Sequence, residues 1–104
     1  MMRIVLSTID DVQKAQELAT TLVNRKLVAC VNIIPSVWSV YHWQGTVEKV
    51  VENLLIFKTS EGRVDELVDG LRELHPYDLP EIIVLPVETG LAEYLRWVET
   101  EATP

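Results

Sequence analysis

The sequence predicts an α+β fold of the ferredoxin-like type, in which a split βαβ unit forms an antiparallel sheet sandwiched with helices. Strand and helix patterns follow one another in the order βαββαβ, with one further helix at the C-terminus. The 104 residues fit one domain, residues 1–104. The prolines agree with this topology, since Pro35 and Pro86 fall in the second and fourth strands, which should form the sheet edges, where a missing N–H is tolerated.

The first half of the chain supplies the first three strands and the first helix. Asp10 or Asp11 can cap that helix, whose apolar residues recur at helical spacing. Gln44 and Gly45 form a turn between two long β-rich runs, which predicts an extended hairpin. The predicted elements are a strand over residues 3–9, a helix with Val12, Ala15, Ala19, Leu22 and Val23 on one face, a strand over 27–34 that Pro35 interrupts and 37–43 resumes, and a strand over 47–59.

The second half begins with a break at residues 60–62 and continues as helix, strand and helix. Gly70 weakens the first of these helices by roughly 1 kcal/mol relative to alanine. The predicted elements are a helix over 63–74 with Val64, Leu67, Val68, Leu71 and Leu74 on one face, a strand over 81–87, and a helix over 91–101.

Both faces of the predicted sheet are apolar. Residues 4–6, 54–57 and 82–85 are continuous apolar runs within three of its strands, and neighbouring side chains in a strand point to opposite faces. The two main helices cover only one face in this topology. We therefore expect an oligomer that buries the other face together with the long hairpin edge; the alternative is that the terminal helix covers it.

The composition restricts the partners and the compartment. The net charge of −7 and the pI of about 4.7 disfavour nucleic acid and favour cations. Cys30 is the single cysteine, which excludes an intrachain disulfide and predicts a reducing compartment. No apolar run reaches the roughly 20 residues of a membrane span, and the N-terminus does not have the layout of a signal peptide.

The most constrained polar cluster lies between the second helix and the fourth strand. Pro76 and Pro80 force an extended connector that carries His75, Tyr77, Asp78 and Glu81 within residues 75–81. An imidazole, a phenol and two carboxylates are held there with little backbone freedom, so we expect the functional site at this connector.

Five segments together resemble the CutA1, or divalent-cation tolerance, family: residues 29–35 (ACVNIIP), 39–45 (SVYHWQG), 58–59 (KT), 74–82 (LHPYDLPEI) and 94–97 (YLRW). The resemblance implies a ferredoxin-like homotrimer in the cytoplasm, a role in tolerance of copper and other divalent cations, and a likeness to PII signalling proteins. It also implies that His75 and Glu81 are metal ligands. Some relatives add a cysteine in the first strand. This chain has Ser7 or its neighbours there and no such cysteine, so a thiolate ligand for Cu(I) is missing.

An imidazole and a carboxylate form a credible half-site for Zn(II) or Cu(II), and Asp78 or a group from a neighbouring subunit would complete it. The alternative interpretation is that His75 caps the second helix and Glu81 pairs with Lys58. Metal binding, if present, is then expected to be weak and dependent on His75.

Three functions remain open from the sequence. The first is a trimeric divalent-cation response protein, and the second is a PII-like protein that binds a small molecule in a subunit cleft lined by Lys58, Tyr77, Glu81 and Trp43. The third is a scaffold without a ligand. Tyr41, Trp43 and Trp97 are predicted interface anchors, and Cys30 is predicted to be a buried small hydrophobe. No catalytic motif is present, so we do not expect an enzyme.

Overall fold

The computed structural model describes residues 1–104 and confirms the predicted α+β fold. Its sheet is antiparallel with the order β2-β3-β1-β4, so the first and third strands are central and the second and fourth are edges, as predicted. The elements are β1 (Met2–Ile9), α1 (Val12–Asn24), β2 (Cys30–Trp43), β3 (Thr46–Ser60), a 3₁₀ turn (Glu61–Arg63), α2 (Val64–Leu74), β4 (Ile83–Pro86) and α3 (Ala92–Glu101).

The edge strands begin later than the sequence predicts. Lys26 has a left-handed backbone (φ 59°), which turns the chain after α1. The backbone from residue 27 to residue 29 is held by single hydrogen bonds to β3 instead of a ladder, with the Thr59 hydroxyl donating to the Leu27 carbonyl at 2.7 Å. β4 has only four residues because the connector that precedes it stays irregular as far as Ile82.

Proline and glycine have the positions expected of them in the long hairpin. The register shifts between Ile34 and Val37, and Ser36 there has a φ of 61°, so Pro35 sits in a bulge where its missing N–H costs nothing. Gln44 and Gly45 have φ values of 50° and 80°, which are the two left-handed residues of a tight hairpin turn.

The main core lies between the sheet and helices α1 and α2. Val5, Ile9, Leu55 and Phe57 are fully buried on that face. The apolar face of α1 is shifted from the prediction, because Leu18 is buried while Val12 and Val23, in the terminal turns, are 47% and 39% exposed. Leu74, in the last turn of α2, is likewise exposed. The core residues contributed by the two helices are Ala15, Leu18, Leu22, Leu67 and Leu71.

The other face of the sheet, which we call the open face, is covered by α3 at one end only. Leu95 and Val98 of α3 pack there with Met2 and Ile4. Beyond that end, Leu6 and Ile56 are half-buried, and Ile34, Ile83 and Leu85 are between 40% and 46% exposed. The alternative in which α3 covers the whole face is therefore wrong.

Residues 37–51 form an arm in which β2 and β3 continue past the bulge. The molecule measures 44 × 25 × 22 Å, and the arm is exposed on both of its faces. Trp38 is 73% exposed and Val40 62% exposed, and Tyr41, Trp43, Val47 and Val51 are exposed as well. No helix of the chain is both long and apolar enough to cross a membrane.

Candidate functional site

A groove lies between the arm and the connector that carries the cluster His75 to Glu81. Its volume is about 850 Å³, which lies in the range of small-molecule sites. Thr8 and Asp10 close it at the end of β1, and Glu52 of β3 forms part of its wall. Tyr41 and Trp43 line it from the arm, and residues 77–81 line it from the connector.

His75 fastens the connector to β1 and is only 7% exposed. It is the C-cap residue of α2, and its extended backbone (ψ 136°) agrees with the effect expected of Pro76. The Tyr77 backbone N–H donates to Nδ1 at 3.0 Å, so Nε2 carries the ring proton and donates to the Thr8 carbonyl at 2.9 Å. Both ring nitrogens are thus engaged within the chain.

Burial holds the pKa of His75 below its ordinary value. The hydrogen bond to the Thr8 carbonyl and the charges of Glu52 and Asp10 oppose this effect without reversing it. A neutral ring with one donor and one acceptor position, both filled, has no lone pair to offer a metal ion in this arrangement.

Tyr77 and Glu52 form the second fixed contact of the groove. The Tyr77 hydroxyl donates to Glu52 Oε2 at 2.7 Å, and Glu52 is 5% exposed. Burial first, then the hydrogen bond and charge of Glu52 and the charge of Asp10, raise the pKa of Tyr77 well above its usual value. Glu52 was not predicted as a site residue, although a carboxylate inside the β-rich run from Val47 to Thr59 was a visible signal.

Four carboxylates line the groove, and no lysine or arginine does: Asp10, Glu52, Asp78 and Glu81. The groove is therefore negatively charged, but no three His, Cys, Asp or Glu side chains of the chain stand close enough to hold a metal ion. The predicted set of His75, Asp78 and Glu81 is not brought together as ligands in one chain. The alternative ion pair between Glu81 and Lys58 is also absent.

Lys58 lies at the other end of β3. It is six positions after Glu52 in the strand, which corresponds to about 20 Å. Its Nζ donates to the Tyr94 hydroxyl at 3.1 Å, and the Cys30 thiol lies 3.7 Å from the same oxygen. The predicted pocket of Lys58, Tyr77 and Trp43 is thus divided, because only Tyr77 and Trp43 line the groove. Cys30 is half-exposed, so its prediction as a buried residue is wrong.

The predicted interface residues are exposed in the single chain. Tyr41, Trp43 and Trp97 are 44%, 46% and 43% exposed. Tyr41 and Trp43 share the face of the arm that lines the groove, and Trp97 stacks on Tyr94 with 5.6 Å between ring centroids.

The chain is similar to proteins named for divalent-cation tolerance. The sequence profile of the family described as CutA1 divalent ion tolerance protein matches residues 3–101. A Thermus thermophilus protein, the divalent-cation tolerance protein CutA, is 42% identical over 98 residues, which are 94% of this chain and 95% of that protein. A Xenopus laevis CutA homolog is 46% identical over 84 residues, 81% of this chain and 56% of that protein. The chain spans about half the length of several such relatives.

Solved structures of proteins named CutA also superpose closely on this chain. The structure described as the PII-like protein CutA from Nostoc superposes with a TM-score of 0.91 at 36% identity, covering 97% of both chains. The structure described as the periplasmic divalent cation tolerance protein CutA from Archaeoglobus fulgidus superposes with a TM-score of 0.94 at 33% identity, covering 99% of this chain and 100% of that one.

Proposed function

Because the chain belongs to the CutA1 divalent ion tolerance family, we propose that it is a non-catalytic, homotrimeric protein of the divalent-cation response that binds copper or other divalent cations weakly. The observation that carries this proposal is the groove, whose four carboxylates have no lysine or arginine among them. Opposite charge concentrates cations there, and carboxylate oxygens suit divalent ions.

Weak binding follows from the lack of a preformed ligand set. Asp78 and Glu81 are exposed and free of ion pairs, whereas Glu52 is engaged by Tyr77. A cation held by two flexible carboxylates keeps most of its water and is bound with little selectivity, unless a neighbouring subunit supplies a further ligand.

Calorimetric titration of the purified protein with Cu(II) and with Mn(II) tests the cation proposal. We expect the double variant Asp78→Asn/Glu81→Gln to bind more weakly than wild type. The control Asp65→Asn/Asp69→Asn removes the same charge from the exposed side of α2 and should bind like wild type. Equal affinities of the groove variant and wild type would contradict the proposal. Equal affinities of His75→Ala and wild type would remove His75 from the ligands.

The trimer is supported by the surface that one chain leaves uncovered. The open face and the arm expose a series of large apolar side chains, as interaction surfaces do, and the outer edge of β4 has unpaired backbone groups. We propose that Tyr41, Trp43 and Trp97 are buried between subunits. Trp43→Glu should weaken the assembly in sedimentation velocity, while Lys49→Glu on the same arm should leave it intact.

A second candidate function is binding of a small-molecule effector, in the manner of a PII-like sensor. The cavity volume and the solved relative described as PII-like favour it. A thermal-shift screen of metals and metabolites separates the candidates, because a ligand stabilises the folded protein according to its concentration relative to its dissociation constant. A metal hit supports the first function, a metabolite hit the second, and no hit supports a scaffold without a ligand.

We propose a cytoplasmic location on the strength of the single, free, half-exposed cysteine. Fractionation of the source cells with antibodies to the protein would test this, and recovery from the periplasm would contradict it.

A further inference from the structure

We infer that His75 is a positioning residue and not a ligand of the cation in the groove, which is therefore held by oxygen atoms alone. This inference rests on the proposed cation binding. It differs from the role of metal ligand that the resemblance implies for His75, and it names the class of donor atoms that the groove offers.

No nitrogen or sulfur ligand lines the groove. The residues that line it include neither of the two histidines, His42 and His75, and they do not include Cys30 or a methionine. The charged groups of the lining are all carboxylates, and its other polar side chains that can bind a metal ion are hydroxyls. Every such side chain in the groove therefore offers oxygen, the donor that suits hard cations.

Each ring nitrogen of His75 already has a partner within the chain. Nδ1 accepts from the Tyr77 backbone N–H at 3.0 Å, and Nε2 donates to the Thr8 carbonyl at 2.9 Å. Coordination through Nδ1 would take the acceptor away from the Tyr77 N–H. Coordination through Nε2 would require the ring proton to move to Nδ1, where it would point at that same N–H. Either bond to a cation would thus break contacts that fix the ring.

The ring is also held by packing. His75 is 7% exposed and is the C-cap residue of α2, with its backbone N–H donating to the Leu71 carbonyl at 2.8 Å. Its ring meets the Tyr77 ring edge-on, with 4.7 Å between centroids and 65° between planes. A ring that turned into the groove would lose this contact and would leave the Thr8 carbonyl and the Tyr77 N–H without partners.

His75 acts on the carboxylates through the connector. Its bond to Thr8 ties the start of the connector to β1, and its bond from Tyr77 holds the next two residues in a fixed turn. The Tyr77 hydroxyl adds a tie to β3, and Asp78 follows directly. Loss of the imidazole should let Asp78 and Glu81 spread over more positions, which lowers the affinity for a cation that both of them hold.

The competing explanation is that the imidazole leaves its two partners and coordinates the cation. Both explanations predict weaker binding by His75→Ala, so that variant alone does not separate them. They differ in whether a nitrogen atom of His75 lies next to the bound cation.

Cu(II) is a suitable probe, because electron spin-echo envelope modulation detects the remote nitrogen of a coordinated imidazole. The chain has two histidines, so His42→Asn leaves His75 as the only imidazole in every copy of an assembly. We expect no imidazole modulation from less than one equivalent of Cu(II) bound to His42→Asn. Modulation that disappears in His42→Asn/His75→Gln would overturn the inference.

Calorimetry with Mn(II) and Cu(II) tests the positioning role. We expect His75→Ala to weaken binding about fivefold. His75→Gln should regain most of the loss, because the side chain of glutamine has an N–H donor and a carbonyl acceptor, as neutral imidazole has a donor and an acceptor, but offers no imidazole nitrogen. Binding by His75→Gln that is as weak as that of His75→Ala, or binding by His75→Ala that equals wild type, would overturn the inference.

His42→Asn is the matched control, because it removes an exposed imidazole that does not line the groove. It should bind both cations like wild type, and weaker binding would give the cation a nitrogen ligand and overturn the inference. A wild-type protein that binds neither Cu(II) nor Mn(II) would contradict the cation proposal and this inference together. Coordination through an imidazole would overturn this inference alone and leave the cation proposal intact.

Discussion

Replacing Tyr77 by phenylalanine removes the one side-chain hydrogen bond of a buried carboxylate. The Tyr77 hydroxyl donates to Glu52 Oε2 at 2.7 Å, and Glu52 is 5% exposed. A hydrogen bond to a charged group contributes about 1.5–3 kcal/mol, and a buried acceptor left unpaired costs the upper part of that range. Because Glu52 can turn towards the groove and regain some water, we expect the free energy of unfolding to fall by about 2 kcal/mol.

A double-mutant cycle with Glu52→Gln separates the hydrogen bond from other effects of the substitution. The amide oxygen of glutamine still accepts from Tyr77, but as a neutral group, so Tyr77→Phe should cost only about 1 kcal/mol in that background. Urea denaturation at one fixed protein concentration supplies the four free energies. Equal costs of Tyr77→Phe in both backgrounds would refute the reasoning.

Two further predictions concern buried polar groups. The Ser7 hydroxyl is fully buried with no protein partner, so Ser7→Ala should raise the free energy of unfolding by about 1 kcal/mol. Thr59→Val loses the 2.7 Å hydrogen bond to the Leu27 carbonyl and should lower the free energy of unfolding by about 1 kcal/mol. Urea denaturation that gives the same sign for both substitutions would contradict this prediction. Burial lowers the pKa of His75 below the value of 6.5 that applies in the unfolded chain, so the stabilising contribution of His75 is complete above pH 6.5 and is lost as the pH falls towards the lower, folded-state pKa. In denaturation curves, wild type should therefore lose more stability than His75→Asn between pH 8 and mildly acidic pH. Identical pH dependence of the two proteins would count against the neutral, buried ring.

Backbone chemistry made the topology predictable from the sequence. Pro35 and Pro86 can only occupy edges, ends or bulges, and both lie in edge strands. Gln44 and Gly45 marked the hairpin turn, and Asp11 caps α1 through Lys14 N–H at 3.0 Å. These features depend on the local sequence alone, which is why the order β2-β3-β1-β4 could be derived before the structure was known.

The arrangement of the site depends on contacts between distant residues, and the sequence predicted it less well. His75 and Thr8 are 67 positions apart, and their hydrogen bond uses the ring nitrogen that the metal prediction required. Tyr77 and Glu52 are joined across 25 positions. Spacing along the chain indicated that the residues from His75 to Glu81 would be held rigidly. It did not reveal which polar groups would form the hydrogen bonds that hold these residues in place. It also did not reveal that Lys58 would face Tyr94 and not Tyr77.

We propose that the apolar surface of the open face and the arm is buried by further copies of the chain. Sedimentation equilibrium of the purified protein over a dilution series into the low micromolar range is the most direct test. We predict a single species of three times the 11.8 kDa chain mass throughout the series. A stable species of one chain mass that stays folded by circular dichroism would contradict the claim and, with it, the subunit interface to which Tyr41, Trp43 and Trp97 are assigned.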